Sequence, residues 1–275
     1  MGWGRSRLYA SGGDTANVAT GLAGVPDRVR IWDVIDANLA QRARNAILAA
    51  ALGDLEQSRR ATAGQPVLFQ QPPRLSDDIW LMLSTCESIA RAGGRAGADI
   101  LAAVAREWRS AKRLPAVSSD AAPPDATLRV APLAFVLDLD DVEDQQLLHD
   151  AVRMTHPSED AWMAAGMAVR LIRDGLLAPS PSFWRSAQGE ALADLPIARA
   201  LRLAARYPYD LQAALTAVDE SADDGVSAPV AALTGMLLGA AGCEIPHELI
   251  VGIAERAEVE AVVEPFAQLV AAVAT

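Results

Sequence analysis

Apolar residues recur at helical spacing along almost the whole chain, and this leaves little room for any fold but a packing of helices. Ala43, Ala46, Ile47 and Ala50 follow the i, i+3, i+4, i+7 template. So do Ile79, Met82, Leu83, Cys86, Ile89 and Ala90, with Ile100, Leu101, Val104 and Trp108 after them. Trp162, Ala165, Val169, Ile172 and Leu176 make another stripe. Val230, Leu233, Leu237, Leu238 and Ala241 make a further one, with Pro229 at a first-turn position. The tail from Glu248 to Ala274 reads as one or two helices, and "QPVLFQ" is the only short strand candidate. Half of the 275 residues are apolar, so a sizeable core is available, and with aromatics at 5% much of it is alanine. That chemistry favours closely packed helices. The fold expected is all-α, with one compact domain over residues 41–275 and residues 1–40 as a separate extension. "KRLPAVSSDAAPPDATL" (Lys112 to Leu128) and "LAPSPSFWRSAQGE" (Leu177 to Glu190) read as loops.

The bulk charge excludes some partners. A net charge of −11 argues against nucleic acid, which needs clustered Lys and Arg, and is compatible with a cation site. Cys86 and Cys243 both sit in apolar helical stretches and read as buried free thiols. None of the three histidines has zinc-site spacing. The start, "MGWGRSRLYASGG", has no apolar core of a secretion signal, although it matches the short M-G-x-x-x-S acylation pattern. Val230 to Ile245 is too short and glycine-rich to span a bilayer. A soluble, cytoplasmic protein with no membrane partner is the expectation.

The chemistry-bearing stretch is "RLSDDIW" (Arg74 to Trp80), where Asp77 and Asp78 follow a serine and precede an apolar run. Two readings stand side by side. Ser76 is a good helix N-cap, with two carboxylates on the positive end of the helix dipole. The same three side chains are hard oxygen donors suited to a divalent cation. "DLDDVEDQQ" (Asp138 to Gln146) is also acidic, but it lacks the glycine and terminal glutamate of a calcium loop and reads as a solvated loop and helix start.

Five stretches, in order, resemble the ADP-ribosylglycohydrolase family over about residues 41–255. "RARNAILAAALGDLEQ" is similar to its opening helix, which ends in Gly-Asp-Ala-Leu-Gly, and "RLSDDIWLMLSTCESIARAGG" to its Thr/Ser-Asp-Asp-Thr helix. "LRVAPLAFVL" resembles its Met-Arg-x-x-Pro-Leu segment, and "VRMTHPSEDAWMAAGMAVRLI" its Thr-His helix. "GVSAPVAALTGMLLGAAGCEIP" resembles its closing Gly-Asp-x-Asp-Thr helix. The resemblance implies an all-α fold around two divalent cations, usually Mg2+ and here alternatively Mn2+. It also implies hydrolysis of the glycosidic bond of an ADP-ribosyl small molecule or an ADP-ribosylated protein. A metal pair can orient ribose hydroxyls and polarise the attacking water. Carried over residue by residue, Asp77 and Asp78 are the ligands on which catalysis turns, Ser76 is a hydroxyl ligand and Asp54 a supporting carboxylate.

The chain departs from that pattern at its second metal motif. Gly225, Val226, Ser227, Ala228 and Pro229 align with Gly-Asp-Thr-Asp-Thr, so both aspartates are gone, and Asp223 and Asp224 lie just upstream. Ala61 stands near the family's early acidic position, and "PPDAT" replaces the glycine-rich ribose loop. His156, after Thr155, reads first as a hydrogen-bonded structural histidine. In the first forty residues, "GGDTANVATGLAG" resembles the closing motif that is degraded further on, with Asp14 and Thr15 on its first half. The same string also resembles a ribokinase-type signature, but no kinase motif follows it. Asp14 or Asp224 is therefore the candidate substitute ligand. Two classes of function are expected: an ADP-ribosyl glycoside hydrolase with a reduced metal site, or an inactive relative that binds or supports.

Overall fold

The computed structural model describes residues 31–63, 73–93, 100, 102–106, 123–177, 195–218 and 227–273. Among them every regular element is helical, and the fold is all-α as the recurrent spacing predicts. In chain order the helices are α1 (Ile31–Ala63), α2 (Asp77–Arg91) and α3 (Pro123–Val130), which runs into a 3-10 turn at Ala131–Phe135. Then come α4 (Val142–Arg153), α5 (Glu159–Leu177), α6 (Pro196–Arg206) and α7 (Leu211–Thr216). α8 (Ser227–Ala240), α9 (His247–Val251) and α10 (Arg256–Val273) close the chain, and a short helical stretch also covers 102–106.

The architecture is organised around α8. Every residue from Val230 to Ala240 is buried. A helix that is apolar on all sides has no face to offer water and must lie inside. The one hydroxyl of this buried stretch, on Thr234, donates back to the Val230 carbonyl at 2.7 Å. α1 lies along α8, and α3, α5, α6 and α7 cover its other sides. α10 packs on α1 and on α2.

Missing side chains set the contact between α1 and α8. A Cβ on Gly53 would stand 2.5 Å from the Ala231 carbonyl oxygen. One on Gly235 would overlap the Ala49 carbonyl, and one on Gly239 the backbone of Asn45 and Ala46. Gly235 and Gly239 are one turn apart and share a face. The facing residues Ala43, Ala46, Ala49 and Ala50 are all buried. The two backbones thus touch almost directly. Asn45 Nδ2 ties α1 to the residue run just after α8, donating to the Cys243 carbonyl at 3.0 Å, and Arg42 Nη1 ties α1 to the end of α5, donating to the Leu176 carbonyl at 2.6 Å. Gly242, at φ +90°, takes the left-handed conformation that ends α8.

Several expectations differ in detail. α1 runs unbroken across residues 40 and 41, and residues 1–30 of the expected extension lie outside the described residues. The last six residues of the loop expected over Lys112 to Leu128 are helical, from Pro123, because proline is tolerated in a first turn, where its missing N–H has no partner to lose. The tail forms α9 and α10, with Pro265 inside the latter. "QPVLFQ" and residues 178–190 of the second expected loop lie outside the described residues. Among the described residues no helix is long and apolar enough to cross a membrane.

Gly235→Ala is expected to cost about 1–3 kcal/mol, since the added methyl meets backbone that cannot rotate away. Gly166→Ala in α5, where a Cβ meets nothing within 4 Å, is expected to be neutral or to stabilise by up to about 1 kcal/mol. Urea midpoints of the two variants against the wild type check this.

Candidate functional site

The start of α2 carries the acidic pair. Ser76 has the extended backbone of an N-cap, φ −68° and ψ 164°, and its Oγ accepts from the Ile79 amide at 3.4 Å. Asp77 and Asp78 fill the first turn, where the helix dipole favours negative charge. Ile79, Met82, Leu83, Cys86 and Ile89 bury the opposite face. The capping reading of the sequence therefore holds for Ser76, and Asp77 is exposed to solvent.

Asp54 joins this helix start to α1. It is 5% exposed, and its Oδ2 accepts from the Ser76 amide at 2.7 Å. Gly53 just before it makes the close contact with α8, so the Gly-Asp pair divides its work: the glycine packs and the carboxylate faces α2. Burial pushes the Asp54 pKa up, against the pull of the Ser76 amide and hydroxyl, and the charge of Asp78 adds to the rise.

Asp78 has a different partner. Arg129 Nε and Nη2 both donate to its Oδ1, at 2.9 and 2.7 Å. The guanidinium is buried, at 4% exposure against 26% for the Asp78 side chain. Its backbone is held as well, because the Thr85 hydroxyl of α2 stands 2.9 Å from the Arg129 carbonyl. Arg129 Nη1 is buried with no hydrogen-bond partner among the described residues. Beside this pair lies His156, between α4 and α5. Its Nδ1 is 2.9 Å from Thr155 Oγ1, and its Nε2 is buried and unpaired. Burial lowers the His156 pKa, the Arg129 charge lowers it further, and Asp78 opposes both.

The structure thus gathers Asp54, Ser76 and Asp78, with Asp77 at their outer edge. Ser227, Ala228 and Pro229 form the first turn of α8, half-buried and with no acidic residue. Ala231, one turn further on, meets Gly53 next to Asp54. Asp14, Thr15, Asp223, Asp224, Gly225 and Val226 lie outside the described residues. Among the described residues no group of three or more His, Cys, Asp or Glu side chains is arranged to hold a metal ion. The residue that sequence reasoning passed over is Arg129. Its signal was a lone cation inside the apolar run "LRVAPLAF", where a buried charge needs a partner.

Neither a protein-family model nor a curated protein sequence matches this chain. Among solved structures, an ADP-ribosylglycohydrolase-related protein complex shares the fold, with a TM-score of 0.53 and 19% identity over 85% of this chain and 99% of that one. The fold is thus ADP-ribosylglycohydrolase-like.

The Asp78–Arg129 pair predicts unequal losses. Asp78→Ala strands a buried guanidinium and is expected to cost about 3–5 kcal/mol. Arg129→Met leaves a carboxylate that water can still reach, and is expected to cost less, about 1.5–3 kcal/mol. A double-mutant cycle in urea reads both and their coupling.

Asp54 predicts a pH dependence. With its folded pKa raised, its contribution to stability is fully present below the ordinary value of 3.8 and is lost as pH rises through the raised value. Asp54→Asn removes the titration. The stability of wild type minus variant is therefore expected to grow between about pH 7 and about pH 4, measured by thermal melts across that range.

Proposed function

We propose that this protein is a non-hydrolytic, ADP-ribosylglycohydrolase-like binding or structural protein that works without a metal pair. The observation that carries this reading is the hold of Arg129 on Asp78. Two divalent cations need several free oxygen donors around them. Here Asp78 Oδ1 takes two bonds from a buried guanidinium, and Asp54 Oδ2 takes the Ser76 amide. The first turn of α8 offers Ser-Ala-Pro where the family has two aspartates. The donor set of the described residues does not fit two Mg2+ or Mn2+ ions. A guanidinium already neutralises the carboxylate and would repel a cation placed beside it.

The ligand class implied by the resemblance is an ADP-ribosyl small molecule or an ADP-ribosylated protein. A fold that keeps its cleft and loses its chemistry would bind such a group without cleaving it. The solved neighbour, named as an ADP-ribosylglycohydrolase-related protein complex, gives a precedent for this fold inside an assembly. The second reading is a hydrolase with a reduced site, using Ser76, Asp77, Asp78 and Asp54, with Asp14 or Asp224 as a further ligand. The exposure of Asp77 favours it, because a carboxylate in water is open to a cation.

Calorimetric titration of Mg2+ and Mn2+, with and without ADP-ribose, on the wild type and Asp77→Ala separates the two. The expected outcome is no stoichiometric metal binding at about 1 mM, and a stability loss in Asp77→Ala of only about 0.3–1 kcal/mol from the dipole. Stoichiometric binding that disappears in Asp77→Ala would overturn the metal-free reading and favour the reduced-site hydrolase.

A further inference from the structure

We infer that the outward face of α6, with the tyrosine corner that follows it, is a docking surface for an extended acidic segment of a partner protein. The inference goes beyond the reading above and holds whichever way the metal titration falls, because no α6 residue takes part in the bonds that join Asp54, Ser76, Asp78 and Arg129.

On a chain of net charge −11, α6 is a local exception. Its sequence, PIARALRLAAR, carries arginines and no acid. Arg199, Arg202 and Arg206 stand at i, i+3 and i+7 and so share one face. Ile197, Ala200, Leu201 and Ala204 bury the opposite face, where α6 packs on its neighbours. Arg202 and Arg206 are exposed and Arg199 is half-buried. Exposed arginines elsewhere meet acids of the chain, as Arg170 meets Asp140 and Arg91 meets Glu87. Arg206 meets a ring instead, with its Cζ 5.3 Å from the centroid of Tyr207. Stacking uses the flat of the guanidinium and leaves its N–H edge for an outside carboxylate. Tyr209, two residues on, is 73% exposed. Beside Tyr207 a concavity of about 390 Å³ opens along one side of α7. Its one acid, Asp210, is committed through Oδ1 to the Ala213 amide at 2.9 Å, as the cap of α7. Arginine and tyrosine are enriched where proteins meet, and a pocket next to them takes a side chain of the partner. The charge of the stripe selects carboxylates, which match the guanidinium fork. From Arg199 to Arg206 the stripe is about 10 Å long, which about three residues of extended chain span.

The test titrates the full, nitrogen-labelled chain with a tetraglutamate peptide blocked at both ends, in about 20 mM salt, where surface charges are little screened. Saturable shifts of the Arg199 and Arg206 Nε resonances and of the Tyr207 amide are expected, with the Asp54 and Ser76 amides unmoved. Arg199→Gln combined with Arg206→Gln should weaken binding about fivefold or more, the loss of two exposed charge pairs. Arg153→Gln, which removes an exposed arginine at the end of α4, should leave it within about twofold. Where the double variant fails to fold, Arg199→Glu, which reverses one charge away from the Tyr207 stack, replaces it with the same expectation. Absence of a saturable shift up to about 10 mM peptide, weaker than any useful affinity, would overturn the inference. So would an equal loss in Arg153→Gln, the mark of diffuse attraction. Shifts on α6 that appear on concentrating the protein alone would overturn it in favour of a second copy of the chain. Equal shifts from inorganic phosphate at the same concentration would overturn it in favour of a small-anion site.

Discussion

The direct backbone contact between α1 and α8 is the constraint on which the rest of the molecule depends. Gly53, Gly235 and Gly239 remove the side chains that would hold the two helices apart. The contact lets α8 bury all of its sides, since α1 closes the face that α3, α5, α6 and α7 leave open. It also sets where Asp54 stands. Because Gly53 is pressed against Ala231, the next residue is carried to the start of α8 and faces the N-terminus of α2. The bond from the Ser76 amide to Asp54 then fixes where α2 begins, and with it the position of Asp77 and Asp78.

What meets Asp78 is positive charge supplied by the chain. A cation centre collects negative oxygens from several helix ends around ions taken from solution. Here the α8 end contributes Ser-Ala-Pro, and α3 contributes a buried guanidinium. That guanidinium gives two bonds to Asp78 Oδ1. Burial, and then the Arg129 charge, disfavour the protonated form of His156.

Much of the fold was legible because helical periodicity is a local property. Ile79, Met82, Leu83, Cys86 and Ile89 face the core, as do Ala165, Val169, Ile172 and Leu176. Ser76 was legible as a cap for the same reason, since its bond reaches only three residues ahead. The helix at Pro123 was not, because Pro-Pro-Asp-Ala-Thr contains turn formers that a first helical turn tolerates equally well. The difference between Asp77 and Asp78 was also hidden. They are adjacent and chemically identical, yet one faces water and the other a guanidinium 51 residues away.

The sequence by itself determined that the chain is helical and where its most apolar helix lies. Periodicity, composition and residue identity carry those facts without reference to distance. Tertiary structure decided that Asp54 grips Ser76, that Asp78 pairs with Arg129, and that His156 shares their neighbourhood. Those outcomes depend on how closely α1 and α8 approach and on where that approach aims the neighbouring helix ends. Contacts between residues far apart in the chain are set by packing, and no local pattern of residues encodes them.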